Sequence, residues 1–109
     1  MPIETGSIWW IDLKGSNLPS EISKIRPCFV ISKTERNKLS NFITVLPITS
    51  KTTNNPLHIN LLINKTKSQI IPYLISTISK KRLHLKIHNN NEIISTQVFK
   101  SLSFLFFQS

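Results

Sequence analysis

Glycine is scarce in this sequence: it occurs only at Gly6 and Gly15. Loops that cradle phosphates or dinucleotides need several closely spaced glycines, because the backbone must come close to the ligand. Two isolated glycines exclude both kinds of loop. Cysteine is scarcer still. Cys28 stands alone, which rules out an internal disulfide and a multi-cysteine metal site. The three histidines, His58, His84 and His88, are scattered and do not repair that. No metal and no cofactor is expected. Cys28 lies inside an apolar run and is expected to be a small buried hydrophobe, not a reactive thiol.

Negative charge is also short. Five acidic residues stand against 14 Lys and Arg, for a formal net charge of +9. That surplus favours a polyanionic partner: nucleic acid, an acidic protein or an anionic membrane surface. A basic surface kept for solubility is the competing use. No run approaches the roughly 20 apolar residues needed to span a bilayer. The opening MPIETGSIWW carries Glu4 where a secretory leader would be positive. The expectation is a cytoplasmic protein with no membrane span. A length of 109 residues fits one domain, 1–109, with one modest core.

What is present reads as about six short strands and one helix. Ile8 to Leu13 is aromatic and branched, a strand pattern. Adjacent Trp9 and Trp10 must then face opposite sides. One enters the core, and the other lies on a second packed surface, a nucleic-acid face or beside a loop. Residues 14–25 are rich in turn formers. Cys28 to Ser32 is a second strand. Lys33 to Asn41 is a polar connection with room for one helical turn. Phe42 to Ile48 is a third strand, with Pro47 suggesting an edge or a strand end. Leu57 to Ile63 is a fourth. Asn64 to Ser68 turns the chain, and Gln69 to Ile78, broken by Pro72, is one bent strand or two short ones. Leu83 to His88 alternates apolar and cationic positions, the period of a half-buried strand. Asn91 suits an N-cap, and Ile94, Val98, Leu102 and Leu105 then recur at helical spacing, widened by Ile93 and Phe99. The fold class is mainly β, a small, strongly bent barrel with a C-terminal helix.

The chemistry left open is metal-free acid–base work by Arg, Ser, Thr and Lys. RNA carries its own nucleophile, the 2′-hydroxyl. A site must then orient the phosphate, neutralise its oxygens and move two protons. Arg26 suits the first two tasks through a bidentate fork. Thr49 and Ser20 can donate to the same oxygens. A surface position or a sheet-end ion pair is the competing use of Arg26. His58 belongs to a strand face or to catalysis, and His84 and His88 to solvent or phosphate contact.

Five segments resemble the MazF/PemK family of toxin endoribonucleases. Gly6 to Leu13, GSIWWIDL, is similar to the family's opening strand. Ser20-Glu21 followed by Arg26-Pro27 keeps the spacing of its Gly-Ser-Glu-Gln loop and Arg-Pro strand start. Val45 to Ser50, VLPITS, resembles its Val-x-Pro-Ile-Thr-Ser element. Pro56, His58 and the apolar run after them resemble a strand beginning Pro-x-His-Val. Thr77 to Leu83, TISKKRL, resembles Thr-Ile-Asp-Lys-x-Arg-Leu. The resemblance implies an SH3-like barrel, a homodimer and metal-independent cleavage of single-stranded RNA. It also implies neutralisation by a cognate acidic antitoxin. The products would be a 2′,3′-cyclic phosphate and a 5′-hydroxyl. By position, Arg26 would be the catalytic arginine and Thr49 its hydroxyl partner, with Ser20 assisting. Glu21, Lys24 and Ser50 would hold the RNA; Lys80, Lys81 and Arg82 would hold its backbone or form an ordinary solvated basic turn.

The chain also departs from the family pattern. Pro19 and Ile22 flank Ser20-Glu21 where the family has Gly and Gln. Leu74-Ile75-Ser76 stands at its Gln-x-Arg, and Tyr73 where some members carry an acidic base. These changes imply altered specificity, reduced cleavage or none. The alternative is a non-catalytic binder on the same fold, either an RNA-binding remnant or a gyrase-directed toxin.

Overall fold

The computed structural model describes residues 2–107. Its strands are β1 (Ile8–Asp12), β2 (Ile25–Val30), β3 (Phe42–Thr49), β4 (Ile59–Ile63), β5 (Thr66–Ile70), β6 (Ser76–Ser79) and β7 (Leu83–His88). Two α-helices follow β2 and β7, α1 (Thr34–Leu39) and α2 (Glu92–Leu102). The sheet runs in the order β4-β5-β3-β2-β1-β7, with β6 also on β3. It curls into a half-barrel, and the mainly β class with a C-terminal helix is as expected. Among the described residues no helix is long and apolar enough to cross a membrane.

The sheet is buried on both faces because apolar side chains alternate across it. Cys28, Val30, Ile43 and Val45 pack on one face with Trp9, Ile11 and Ile78. Phe29, Leu46 and Ile48 pack on the other with Ile63, Ile70 and, from α2, Val98 and Leu102. Trp9 is the tryptophan that enters the core, and its Nε1 donates to Ser7 Oγ at 2.9 Å. Cys28 is fully buried, and burial pushes its thiol pKa far above the ordinary range while nearby Arg26 opposes the rise.

Strand β3 organises the sheet. On one side it pairs with β2; on the other it pairs with β6 as far as Val45 and with β5 from Ile48. Pro47 falls in the gap between β6 and β5. Its missing N–H therefore interrupts neither ladder, and the strand runs on to Thr49 instead of stopping. The Pro47 carbonyl accepts from Ile71 N at 3.0 Å, which binds the gap closed.

Several expected boundaries move. Among the described residues there are seven strands, because the stretch around Pro72 divides into β5 before it and β6 after it. The second strand begins at Ile25, so Arg26 is inside it, and the fourth begins only at Ile59. The turn expected over 64–68 is the two-residue hairpin Asn64-Lys65, with φ of 48° and 68°. Thr66 and Lys67 already pair with β4, but their exposed polar side chains hid the strand.

Strand β7 keeps Leu83 and Ile87 against the core but not Leu85. Its pairing with β1 shifts register twice, at Ile8/Trp9 and again at Trp9/Ile11. Each bulge inserts a residue and reorients the side chains that follow. Leu85 is consequently 74% exposed, while Lys86 turns toward Glu4, Nζ to Oε1 3.9 Å. In α2 the expected cap holds: Asn91 Oδ1 accepts from Ile94 N at 3.1 Å. Phe99 meets Phe29 edge-on at 6.4 Å, whereas Ile93 points to solvent. The described residues end in a π-helical turn, Ser103–Phe107, that exposes Phe104, Phe106 and Phe107.

Candidate nucleic-acid interface

Arg26 and Thr49 come together at one end of the sheet. The β2–β3 register pairs Cys28 with Pro47. Continuing that register by two residues brings Arg26 level with Thr49. A cleft of about 310 Å³ opens at this end. Arg26, Thr49, Ser50, Lys24 and the half-buried Trp10 line it.

The Arg26 guanidinium is held from above by the loop before β2. Its Nε donates to the Ile22 carbonyl at 3.1 Å, and its Nη2 donates to the Glu21 carbonyl. The loop can hold the cation because Ile22 is itself buried in the core. A guanidinium has further N–H donors beyond these two, and they remain for an anion. Burial lowers the Arg26 pKa from its ordinary value, opposed by the electrostatic influence of Cys28 and Glu21. Arginine stays protonated through such a shift. It therefore offers phosphate a permanent, partly desolvated positive charge.

Thr49 is 9% exposed. Its Oγ1 accepts from Lys51 N at 3.1 Å, so its own O–H remains to donate. Ser20 and Glu21 are exposed on the loop above Arg26. Lys80, Lys81 and Arg82 form a 3-10 turn before β7 and do not line this cleft. Arg82 Nη1 donates to the carbonyls of Asp12 and Lys14 at 2.9 and 2.8 Å, tying the end of β1. It also borders a separate hollow with Gly15 and Phe42. Leu74 packs against the core, Ile75 is exposed and Ser76 begins β6.

One residue escaped sequence reasoning. Gln69 was read only as part of an apolar run. It is the direct cross-strand partner of Thr49 on one side and of Asn60 on the other. Arg26, Thr49, Gln69 and Asn60 thus form one polar row across four strands. Gln69 is 3% exposed, and its Nε2 donates to Thr53 O at 2.9 Å and Asn60 Oδ1 at 2.8 Å. A glutamine in an apolar run that must be buried is the signal that could have found it, since such a group needs partners.

The sequence matches the family described as PemK-like, MazF-like toxin of type II toxin-antitoxin system over residues 4–106, and the chain belongs to it. No sequence match is found among curated proteins. Among solved structures, a MazF from Deinococcus radiodurans superposes with a TM-score of 0.86 at 15% identity, covering 99% of each chain. An endoribonuclease in complex with its cognate antitoxin from a mycobacterial species gives 0.79 at 15% identity, covering 98% of this chain and 97% of that one. The Mycobacterium tuberculosis toxin MazF-mt6 gives 0.79 at 15% identity, covering 94% and 98%.

Proposed function

We propose that this chain is a toxin that cleaves single-stranded RNA, mRNA included, in the cytoplasm. The observation that carries the reading is the convergence of Arg26 and Thr49 at one cleft. Arg26 grips the phosphate oxygens in a fork and stabilises the negative charge that grows as the 2′-oxygen attacks phosphorus. The Thr49 hydroxyl donates to a second oxygen. Trp10 offers a face on which a base can stack. Lys24 and Ser50 steady the strand, and Ser20 and Glu21 close over it from the loop. Lys80, Lys81 and Arg82 hold backbone that extends beyond the cleft. The products are a 2′,3′-cyclic phosphate and a 5′-hydroxyl, with no metal required.

The net charge of +9 suits both this substrate and an acidic antitoxin that occupies the same basic surface. The active form is a homodimer. The test is to incubate purified protein with mixed-sequence RNA in EDTA. Cleavage by the wild type and none by Arg26→Ala supports the reading; equal cleavage by the two sinks it.

A second reading follows from residues 74–76, which present no cation or amide to the cleft. On that reading the chain binds without cutting. RNA affinity that falls steeply with salt, without strand scission, marks an RNA-binding remnant. Gyrase inhibition without RNA binding marks a gyrase-directed toxin.

A further inference from the structure

The outer edge of β4 is open. This strand ends the sheet, and among the described residues no strand pairs with its far side. Its pairing with β5 runs without a bulge from Ile59↔Ile70 to Ile63↔Thr66. In an antiparallel pair only alternate residues bond to the partner strand. The two-residue turn Asn64-Lys65 makes Ile63 and Thr66 a bonded pair. Asn60 and Leu62 therefore turn their backbone N–H and C=O groups outward. Proteins ordinarily guard such an edge with charge, proline or a bulge. Strand β7, at the other end of the sheet, has two register shifts and carries His84, Lys86 and His88. Strand β6, also paired on one side only among the described residues, is four residues long and mostly hydroxylated. Strand β4, INLLI, has no charge, no proline and no bulge, and Leu62 is 61% exposed.

Helix α2 stands alongside this edge, and two hollows follow one another between helix and strand. The first, about 480 Å³, is lined by Ile59 and Asn60 and by Gln97, Lys100 and Phe104. The second, about 440 Å³, is lined by Leu61 and Leu62 and by Asn91 and Ile94. These helix residues recur at steps of three and four, so they form one stripe along the strand. Ser101 Oγ donates to the Leu57 carbonyl at 3.2 Å, which ties α2 to the approach to β4. His58, beside the first hollow, is steadied from the sheet, its Nδ1 2.9 Å from Gln69 Oε1. The groove is thus built before anything enters it. Lys100 stands toward one end and His88 toward the other, and among the described residues no carboxylate lines either hollow. Glu92, in the first turn of α2, accepts from Asn90 Nδ2 at 3.4 Å instead.

We propose that the β4–α2 groove binds an extended, carboxylate-bearing segment of a partner protein, which adds to the sheet as a further strand. An open strand edge beside a helix is a known way to hold an extended peptide: main-chain bonds give affinity and alternate side chains enter pockets. Here the outward N–H and C=O groups of Asn60 and Leu62 supply the main-chain bonds. Apolar side chains at alternate positions enter the hollows beside Leu61, Ile94 and Phe104. Carboxylates meet Lys100 and the N–H of His88. Charge selects this occupant over a second copy of the chain, which would bring the same Lys100 to a groove that already holds one. No residue that lines the Arg26 cleft lines either hollow. The contact is therefore separate from the RNA site and does not rest on the ribonuclease reading.

The probe is a short fluorescent peptide that alternates valine with glutamate, titrated onto the full chain by anisotropy. Wild type is expected to bind it saturably, and Arg26→Ala to bind it equally well. Leu62→Pro removes one outward N–H and spares the ladder to β5, so it is expected to weaken binding about tenfold or more. Lys100→Glu, at an exposed helix position, is expected to weaken the glutamate peptide and to favour one with lysine in its place. That charge swap decides the matter if Leu62→Pro does not fold. Methylating every second peptide nitrogen is expected to abolish binding for one set of nitrogens and spare the other, because only one set faces β4. No binding by wild type overturns the proposal, as does affinity unchanged by Lys100→Glu or by a folded Leu62→Pro. Equal loss from either methylated set overturns strand addition. Loss of binding in Arg26→Ala puts the peptide in the cleft and overturns it too. So does an oligomer of wild type that Leu62→Pro or Lys100→Glu dissociates, since the occupant is then a second copy.

Discussion

Arg26 Nε donates to the Ile22 carbonyl at 3.1 Å, so the cation of the cleft and the loop above it are one mechanical unit. Replacing the fork with a point charge separates gripping from mere attraction. Arg26→Lys keeps the charge but cannot hold the loop carbonyl and two phosphate oxygens together. Cleavage is expected to fall about 10²-fold, in the range seen for loss of one oxyanion donor. Glu21→Ala, which keeps the carbonyl and is exposed, is expected to stay within about 0.5 kcal/mol of wild-type stability. Initial rates on a fluorogenic RNA and a urea melt check both.

The Asn64-Lys65 hairpin places a lysine at φ 68°. A side chain in the left-handed region costs about 1–2 kcal/mol, part of which glycine loses again through its freedom in the unfolded chain. Lys65→Gly is expected to stabilise the protein by about 0.5–1 kcal/mol on that balance. The reading is the urea midpoint at constant slope.

Helix α2 docks by its capped start and by an aromatic edge. Asn91→Ala removes the acceptor of Ile94 N and is expected to cost about 1 kcal/mol. Phe29→Ala empties a fully buried position against Phe99 and is expected to cost about 3–5 kcal/mol. Chemical denaturation of the two variants gives the ratio directly.

Burial raises the Cys28 thiol above its ordinary pKa. The folded chain therefore holds that proton more tightly than the unfolded one. The stabilisation is complete below the unfolded thiol pKa, about 8.5, and is lost as pH rises past it. Cys28→Ala is expected to be less stable at pH 7, because a cavity opens, yet to lose less stability than wild type between pH 8 and pH 10. Paired melts at the three pH values test the slope. The native thiol is also expected to resist alkylation until the chain is unfolded.

Much of the fold is legible in the residues. The apolar run Phe42 to Ile48 and the branched residues in Ile8 to Leu13 give strands because a pleated, buried surface accepts little else. Asn91 and the repeat of Ile94, Val98 and Leu102 give the helix because its groups must be capped and its apolar stripe buried. Scarce glycine and cysteine excluded whole classes of chemistry before any geometry was known. Arg26 and Thr49 were legible as chemically able residues.

Tertiary structure alone decided which of them meet. Two bulges against β1, set by pairing and not by composition, turned Leu85 outward. The passage of β3 from β6 to β5 let Pro47 sit within a strand and carried Thr49 beside Gln69. Lys80 to Arg82, as basic as any stretch of the sequence, stand away from the Arg26 cleft because β7 lies at the far side of β1. Sequence specifies what each side chain can do and which face of its own element it takes. Register and strand order specify its neighbours, and here they join Arg26 to Thr49 and Gln69 to His58.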